Sequence, residues 1–229
     1  MKGRDFFGTI HHKLIVSCQA LEDEPLHGSE MMAKMAQAAK EGGAVAIRSN
    51  SAVDVAAIKA QTGLPIIALL KRNYPGSEVF ITATLKEVKE LLEVKPDVIA
   101  LDATIRKRPN DEKLKDLVQF IHDESDTLVM ADIATIKDAE YAIECGVDML
   151  STTLSGYTAD SPSLVGPDFE LVKEVSNISS LPVIAEGRIH TPEQARKMIE
   201  LGAWSIVVGG AITRPQLITK SFVDGIQGV

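Results

Sequence analysis

Short runs rich in Val, Ile and Leu recur along the chain without polar residues alternating inside them. They are LIVSC (14–18), AVAI (44–47), PIIALL (65–70), DVIAL (97–101), TLVMA (127–131), VDMLST (147–152), PVIAE (182–186) and WSIVV (204–208). A strand with one wet face alternates apolar and polar residues, whereas a strand covered on both faces reads as a continuous apolar run. The pattern therefore predicts eight buried strands. Their spacing of roughly 15 to 35 residues leaves room for one helix between each pair.

The intervening segments carry helix start signals. Ser51 with Asp54, Thr84 with Glu87, Thr135 with Asp138 and Thr191 with Gln194 each set a hydroxyl three residues before an acid or amide. Such a pair satisfies the amides left open in a first helical turn, and Pro192 falls where a missing N–H costs nothing. Gly43, Gly63, Gly146 and Gly202 stand just before the next apolar run, where a left-handed residue closes a helix. Strand, helix and stop signal thus repeat about eight times. The expected fold is an α/β (β/α)8 barrel of the TIM type, one domain over residues 1–229, with an open doubly wound sheet as the alternative.

Composition narrows the partners. The 229 residues are 45% hydrophobic and 24% charged, with a formal net charge of -8, which suits one sizeable core and argues against a nucleic-acid partner. Any anionic ligand must then be held by local groups. No apolar stretch approaches the roughly 18 residues of a membrane span. The start, MKGRDFFGTIHHK, has no secretory apolar region, so the cytoplasm is the expected location. Cys18 and Cys145 are far apart and beside apolar runs, and they read as reduced, partly buried thiols.

In such a barrel the side chains at the C-terminal strand ends reach the open mouth. Here those ends carry Gln19, Arg48, Lys71 with Arg72, Asp102, Asp132, and Glu186 with Arg188. A buried strand has no structural use for an unpaired charge after five apolar residues, so convergence on one site is expected. Arg72 and Asp102 are the weaker candidates, each free to pair with a neighbouring charge. Gly187 follows the seventh strand, and Gly209 and Gly210 follow the eighth. Backbone amides there can approach an anion closely, and barrels of the phosphate-binding type hold phosphate at that position. Arg214 lies a few residues beyond, where a charge-assisted bond to the phosphate is expected of it over the alternative of capping the helix. The stretch SGYTADSPSLVGPDF (155–169) reads as a long loop on the same face.

The segments LIVSCQALEDEPLHG (14–28), AIRSNS (46–51), IIALLKRNYPGSEVFITAT (66–84), IALDAT (99–104), MADIAT (130–135), LSTTLSGYT (150–158), IAEGRIHTPEQA (184–195) and VVGGAITRP (207–215) follow one another in order over nearly the whole chain. The chain resembles the bacterial N-acetylmannosamine-6-phosphate 2-epimerases of sialic-acid breakdown. The resemblance implies inversion at C2 of an N-acetylhexosamine 6-phosphate, giving N-acetylglucosamine 6-phosphate from the manno epimer, with no cofactor. It also implies Lys71 and Glu186 as the catalytic pair, and Arg48, Asp132 and Gln19 as substrate-binding residues. The short lead before Lys13 receives no role.

The histidines invite a metal reading that their spacing does not support. His11 and His12 precede the first strand, His122 falls late in a helix, and no histidine ends a strand; no metal is expected. His27 and His190 lie in loops on the functional face. The rival readings are another enzyme of the same barrel class acting on a phosphorylated ligand, and a non-catalytic sugar-phosphate sensor. A homodimer is expected, because barrels often pair through exposed helix faces.

Overall fold

The computed structural model describes residues 3–228. Its eight strands are β1 (Leu14–Cys18), β2 (Ala46–Asn50), β3 (Ile66–Leu69), β4 (Val98–Asp102), β5 (Leu128–Asp132), β6 (Met149–Ser151), β7 (Val183–Glu186) and β8 (Ser205–Val208). They pair in parallel and in sequence order into a closed barrel. The ring is sealed by β1 on β8, with Leu14, Ile15 and Val16 opposite Ile206, Val207 and Val208. The helices are α1 (Gly3–Ile10), α2 (Ser29–Glu41), α3 (Ala52–Thr62), α4 (Leu85–Leu92), α5 (Leu114–Glu124), α6 (Ile136–Glu144), α7 (Phe169–Ile178), α8 (Pro192–Glu200), α9 (Gly210–Thr213) and α10 (Pro215–Gln227).

The start signals act as the sequence indicates. Thr84, Thr135 and Thr191 form complete capping boxes with Glu87, Asp138 and Gln194. Ser51 accepts only the Asp54 amide. Gly43, Gly63, Gly146 and Gly202 all have positive φ, so β2, β3, β6 and β8 are each entered from a sharp stop.

Two apolar layers follow from the strand period of two. Outward residues such as Val16, Ile47, Ile66, Ile99, Val129 and Leu150 pack with the helices. Inward residues Ile15, Ala46, Ile67, Val98, Ala100, Met130, Met149, Ile184 and Val207 fill the barrel. The lead that had no expected role turns out to be structural: α1 buries Phe6 and Ile10 in that interior cluster, a plug at the N-terminal end of the strands.

The second strand departs from its expected extent of 44–47. It runs on through Arg48, Ser49 and Asn50, with Arg48 only 1% exposed. Sequence hydropathy ends the strand at the first charge, yet here the charge is paired inside the barrel and the ladder continues. No helix of the described residues is long and apolar enough to cross a membrane.

Candidate active site

The inward columns change character as they climb. Ile15 gives way to Ser17 and Gln19, Ala46 to Arg48, Ile67 and Leu69 to Lys71, Met130 to Asp132, and Ile184 to Glu186. A cavity of about 360 Å³ opens there, and Gln19, Arg48, Lys71, Glu186, Gly187, Arg188, Gly209, Gly210 and Arg214 all contribute to its wall. Larger volumes exist elsewhere, but volume does not decide. A groove of about 670 Å³ lies by the residues that precede β4 and β5, at the opposite end, where no inward column reaches. Another, of about 700 Å³, adjoins the mouth and shares Lys71 and Phe80 with it.

Arg48 anchors the deepest charges. Its Nη1 and Nη2 donate to Asp132 Oδ1 at 2.9 Å and Oδ2 at 2.6 Å, a planar fork, and Nη1 also stands 2.9 Å from Glu186 Oε2. Burial disfavours the guanidinium charge, but the two carboxylates outweigh that and hold it more firmly protonated than usual. Asp132 is itself fully buried, behind Arg48 rather than on the cavity wall. Thr153 completes the group: its Oγ1 lies 2.8 Å from Asp132 Oδ1 and 3.0 Å from Glu186 Oε2. Burial pushes the Glu186 carboxyl above its usual range, with Arg48 opposing and Asp132 reinforcing the shift.

Lys71 enters from the other side. After β3 the chain makes a fold-back in which Lys71 bridges Ile81 in antiparallel fashion, while its amide donates to Asn50 Oδ1 at 2.8 Å. No hydrogen bond or ion pair holds its ammonium among the described residues. Burial, with the positive charges of Arg48 and Arg214, lowers its pKa to about 8. An amine in that state is a usable base near neutral pH.

The β7–β8 side carries the anion-compatible features. Gly187 and Arg188 both have positive φ, 111° and 54°, turning the backbone sharply at the mouth. Gly210 begins α9, whose first amides have no intrahelical acceptor. Arg214 donates from Nε and Nη2 to Glu24 and from Nη2 to the Gln19 carbonyl, which brings it to the wall with Nη1 uncommitted among the described residues. Gln19 donates to Ser17 Oγ at 2.8 Å, and its buried Oε1 has no partner.

Arg188 is used twice. It lines the cavity, and it ties the loop after β6 by donating to the carbonyls of Gly166 and Ser155, with Tyr157 stacked 5.4 Å away. Gly156 makes this possible. At φ +81°, a Cβ there would sit 2.4 Å from Arg188 Nη1. Gly156→Ala is therefore expected to displace the guanidinium and to cost about 1–2 kcal/mol of stability, read from the urea midpoint; an unchanged midpoint would contradict this packing.

Of the weaker candidates, Asp102 is buried and occupied by Thr104 and Arg106, and Arg72 pairs with Glu87 and Glu90. Neither contributes to the cavity wall. His190 lines it, whereas His27 faces the adjoining groove. Sequence reading missed Thr153, Ser17 and Tyr157, all on the wall. The column Met149, Ser151, Thr153 offered the signal. Cys18 and Cys145 are buried and free, and burial pushes the Cys18 thiol up to about 12.

Comparison with known proteins gives consistent matches. A family model described as "Putative N-acetylmannosamine-6-phosphate epimerase" covers residues 32–228. Relatives named "Putative N-acetylmannosamine-6-phosphate 2-epimerase" include one from Enterobacter sp. (strain 638), 56% identical over 218 residues, aligning 94% of this chain and 93% of the relative. Another, from Clostridium perfringens (strain SM101 / Type A), is 57% identical over 215 residues, aligning 94% and 97%. The solved structure of the N-acetylmannosamine-6-phosphate 2-epimerase from Clostridium perfringens superposes with a TM-score of 0.94 at 54% identity, covering 96% of this chain and 95% of that one. A thiamine phosphate pyrophosphorylase from Pyrococcus furiosus, at a TM-score of 0.60 and 19% identity over 88% of this chain and 87% of that one, shares the fold alone.

Proposed function

Because the chain belongs to the N-acetylmannosamine-6-phosphate epimerase family, its reaction is inversion at C2 of that phosphosugar, and we propose that Lys71 and Glu186 move the proton. The product is N-acetylglucosamine 6-phosphate, and the step belongs to amino-sugar breakdown. One observation carries the assignment of roles. In a closed ring of eight strands in sequence order, β3 and β7 stand diametrically opposed, so Lys71 and Glu186 face each other across the mouth. Inversion carried by two protein groups uses this arrangement, with a base on one face of C2 and an acid on the other.

The open-chain sugar presents a C2 proton acidified by the C1 carbonyl. Neutral Lys71 takes that proton, the C2–H electron pair forms a C1=C2 double bond as the carbonyl π pair moves onto O1, and an enolate oxyanion develops. Arg48, at the wall between the two catalytic groups, stabilises that charge. Glu186, held above the usual carboxylate range, then supplies a proton to the opposite face. Gln19 has a free acceptor for a substrate hydroxyl. Asp132 acts through Arg48, which it orients and balances. The phosphate sits against the amides at Gly187, Gly209 and Gly210, with Arg188 and Arg214 adding charge from either side.

The assignment is tested by proton NMR of N-acetylmannosamine 6-phosphate with the protein in D2O. Conversion to the gluco epimer carrying deuterium at C2 is the expected result. A folded protein giving neither conversion nor exchange would leave only a phosphate-binding barrel.

We also infer a homodimer in the cytoplasm. Helix α10 buries none of its residues, and Phe222 and Ile226 on it are 70% and 86% exposed, a face suited to a second copy. Phe222→Glu is expected to give a monomer in sedimentation, and a monomeric parent protein would overturn the pairing. The two free buried thiols support a reducing setting.

A further inference from the structure

We propose that Thr153 is a further positioning residue of the inversion, one that keeps Glu186 in its protonated, proton-donating form. The proposal rests on the reading of Glu186 as the acid. It comes from counting protons at one hydroxyl.

Thr153 Oγ1 has four polar neighbours. Asp132 Oδ1 is at 2.8 Å, Glu186 Oε2 at 3.0 Å, Ser151 Oγ at 2.8 Å and Arg48 Nη1 at 3.3 Å. A hydroxyl owns one proton and two acceptor positions, so it can donate to one of the two carboxylates and no more. The other contact, oxygen to oxygen at hydrogen-bond distance in a buried site, needs a proton of its own.

Asp132 is the group that stays ionised. It takes both forks of Arg48, and Thr153 is slightly nearer to it than to Glu186. Glu186 Oε2 stands close to Arg48 Nη1, but off the line of a hydrogen bond. The missing proton therefore belongs on Glu186, which donates to Thr153 while Thr153 donates to Asp132; Ser151 fills the second acceptor position, and Arg48 Nη1, the most distant of the four at 3.3 Å, stays with Asp132. Burial acts in the same direction on Glu186. The charged groups facing Glu186 are Arg48 from β2, Lys71 after β3 and Asp132 from β5, and His190 lies on the same cavity wall.

When the intermediate is reprotonated, the Glu186 O–H bond breaks as the new C2–H bond forms from the intermediate's electron pair. The O–H pair stays on Glu186 as carboxylate, and Lys71 retains the proton it took as an ammonium. The Thr153 hydroxyl can then turn toward the new carboxylate. Without Thr153, the ionised carboxylate settles against Arg48 and the acid is lost before the reaction starts.

The test compares Thr153→Val and Thr153→Ser in D2O, reading C2 exchange and inversion separately from each epimer. Thr153→Val is expected to lower inversion by about ten- to a hundredfold. Exchange by Lys71 in the epimer that presents its C2 proton to it should fall by less than about threefold. Thr153→Ser restores the ratio. The limb of the pH profile that vanishes in Glu186→Gln should move to lower pH in Thr153→Val. Parallel loss of exchange and inversion at every pH, or no rescue by serine, would overturn the proposal.

A second measurement does not depend on the valine variant folding. Infrared difference spectra of the parent protein against Glu186→Gln at neutral pH should contain the carbonyl band of a protonated carboxyl, and its absence would refute the assignment. Failure of the parent protein to exchange C2 at all would instead count against Lys71 and the catalytic reading, a distinct outcome.

Discussion

Lys71→Met is expected to lower turnover by about three orders of magnitude, to remove C2 deuterium incorporation along with it, and at the same time to make the protein more stable. The two effects share one cause. Burial and the neighbouring cations Arg48 and Arg214 depress the Lys71 pKa from 10.5 to about 8, so the charged form is disfavoured in the folded state. The unfolded chain then binds more protons than the folded one between the two values, and stability rises as pH climbs through that window. At neutral pH the folded protein carries the full penalty of the ammonium. Removing it should raise stability by about 1–2 kcal/mol, measured by urea unfolding at pH 7. Exchange at C2 by the parent protein should rise with pH and level off above about 8. A stability loss, or exchange that persists in the methionine variant, would remove Lys71 from the role of base.

Asp132→Asn is expected to have the largest effect on stability. Both carboxylate oxygens of Asp132 are spent on the Arg48 fork, and the pair is 1% and 0% exposed. Neutralising one partner leaves a guanidinium buried without its main counter-charge, a loss of about 3–5 kcal/mol in comparable pairs. The amide also turns an NH2 toward either Arg48 or Thr153. Glu186 is the nearest remaining carboxyl group and would be drawn into ionisation, so inversion should fall as well. The double variant Arg48→Met with Asp132→Leu is expected to recover most of the stability and none of the activity, because no lone charge remains. Denaturant midpoints decide the matter; an Asp132→Asn cost below about 1 kcal/mol would mean that the fork contributes little.

How far these features can be read from the chain depends on whether a residue's neighbours lie along one strand or across several. Lys71, Glu186, Arg48 and the glycines after β7 and β8 stand out because each interrupts or follows an apolar run, and the barrel sends all such positions to one mouth. Their depth does not stand out. Asp132 and Arg48 look equivalent as strand ends, yet one lies behind the other, and only the ring's closure shows which is nearer the cavity. Arg48 also hides the length of β2, since a paired charge lets a strand run on where hydropathy stops. Thr153 sits in a Ser-Thr-Thr run and is picked out only when the period of two is carried on from Met149 through Ser151, past the end of β6. The lead segment is silent in the sequence for a different reason. With no strand of its own to follow, α1 shows its purpose only through the cluster of Phe6 and Ile10 with the barrel interior.

The pairing of β1 with β8 has a consequence for the order of events during synthesis. Residues about 190 positions apart must meet to seal the ring: Thr213 Oγ1 donates to the Ser17 carbonyl, and Arg214 is matched to Glu24. The first strands leave the ribosome long before their partners exist, so β1 spends most of translation as an unprotected edge. The amides at Gly209 and Gly210 emerge only after all eight strands. A nascent chain thus carries Lys71 and Asp132 long before β8 exists, and the mouth that these residues share is assembled only when β8 joins β1 and closes the circle.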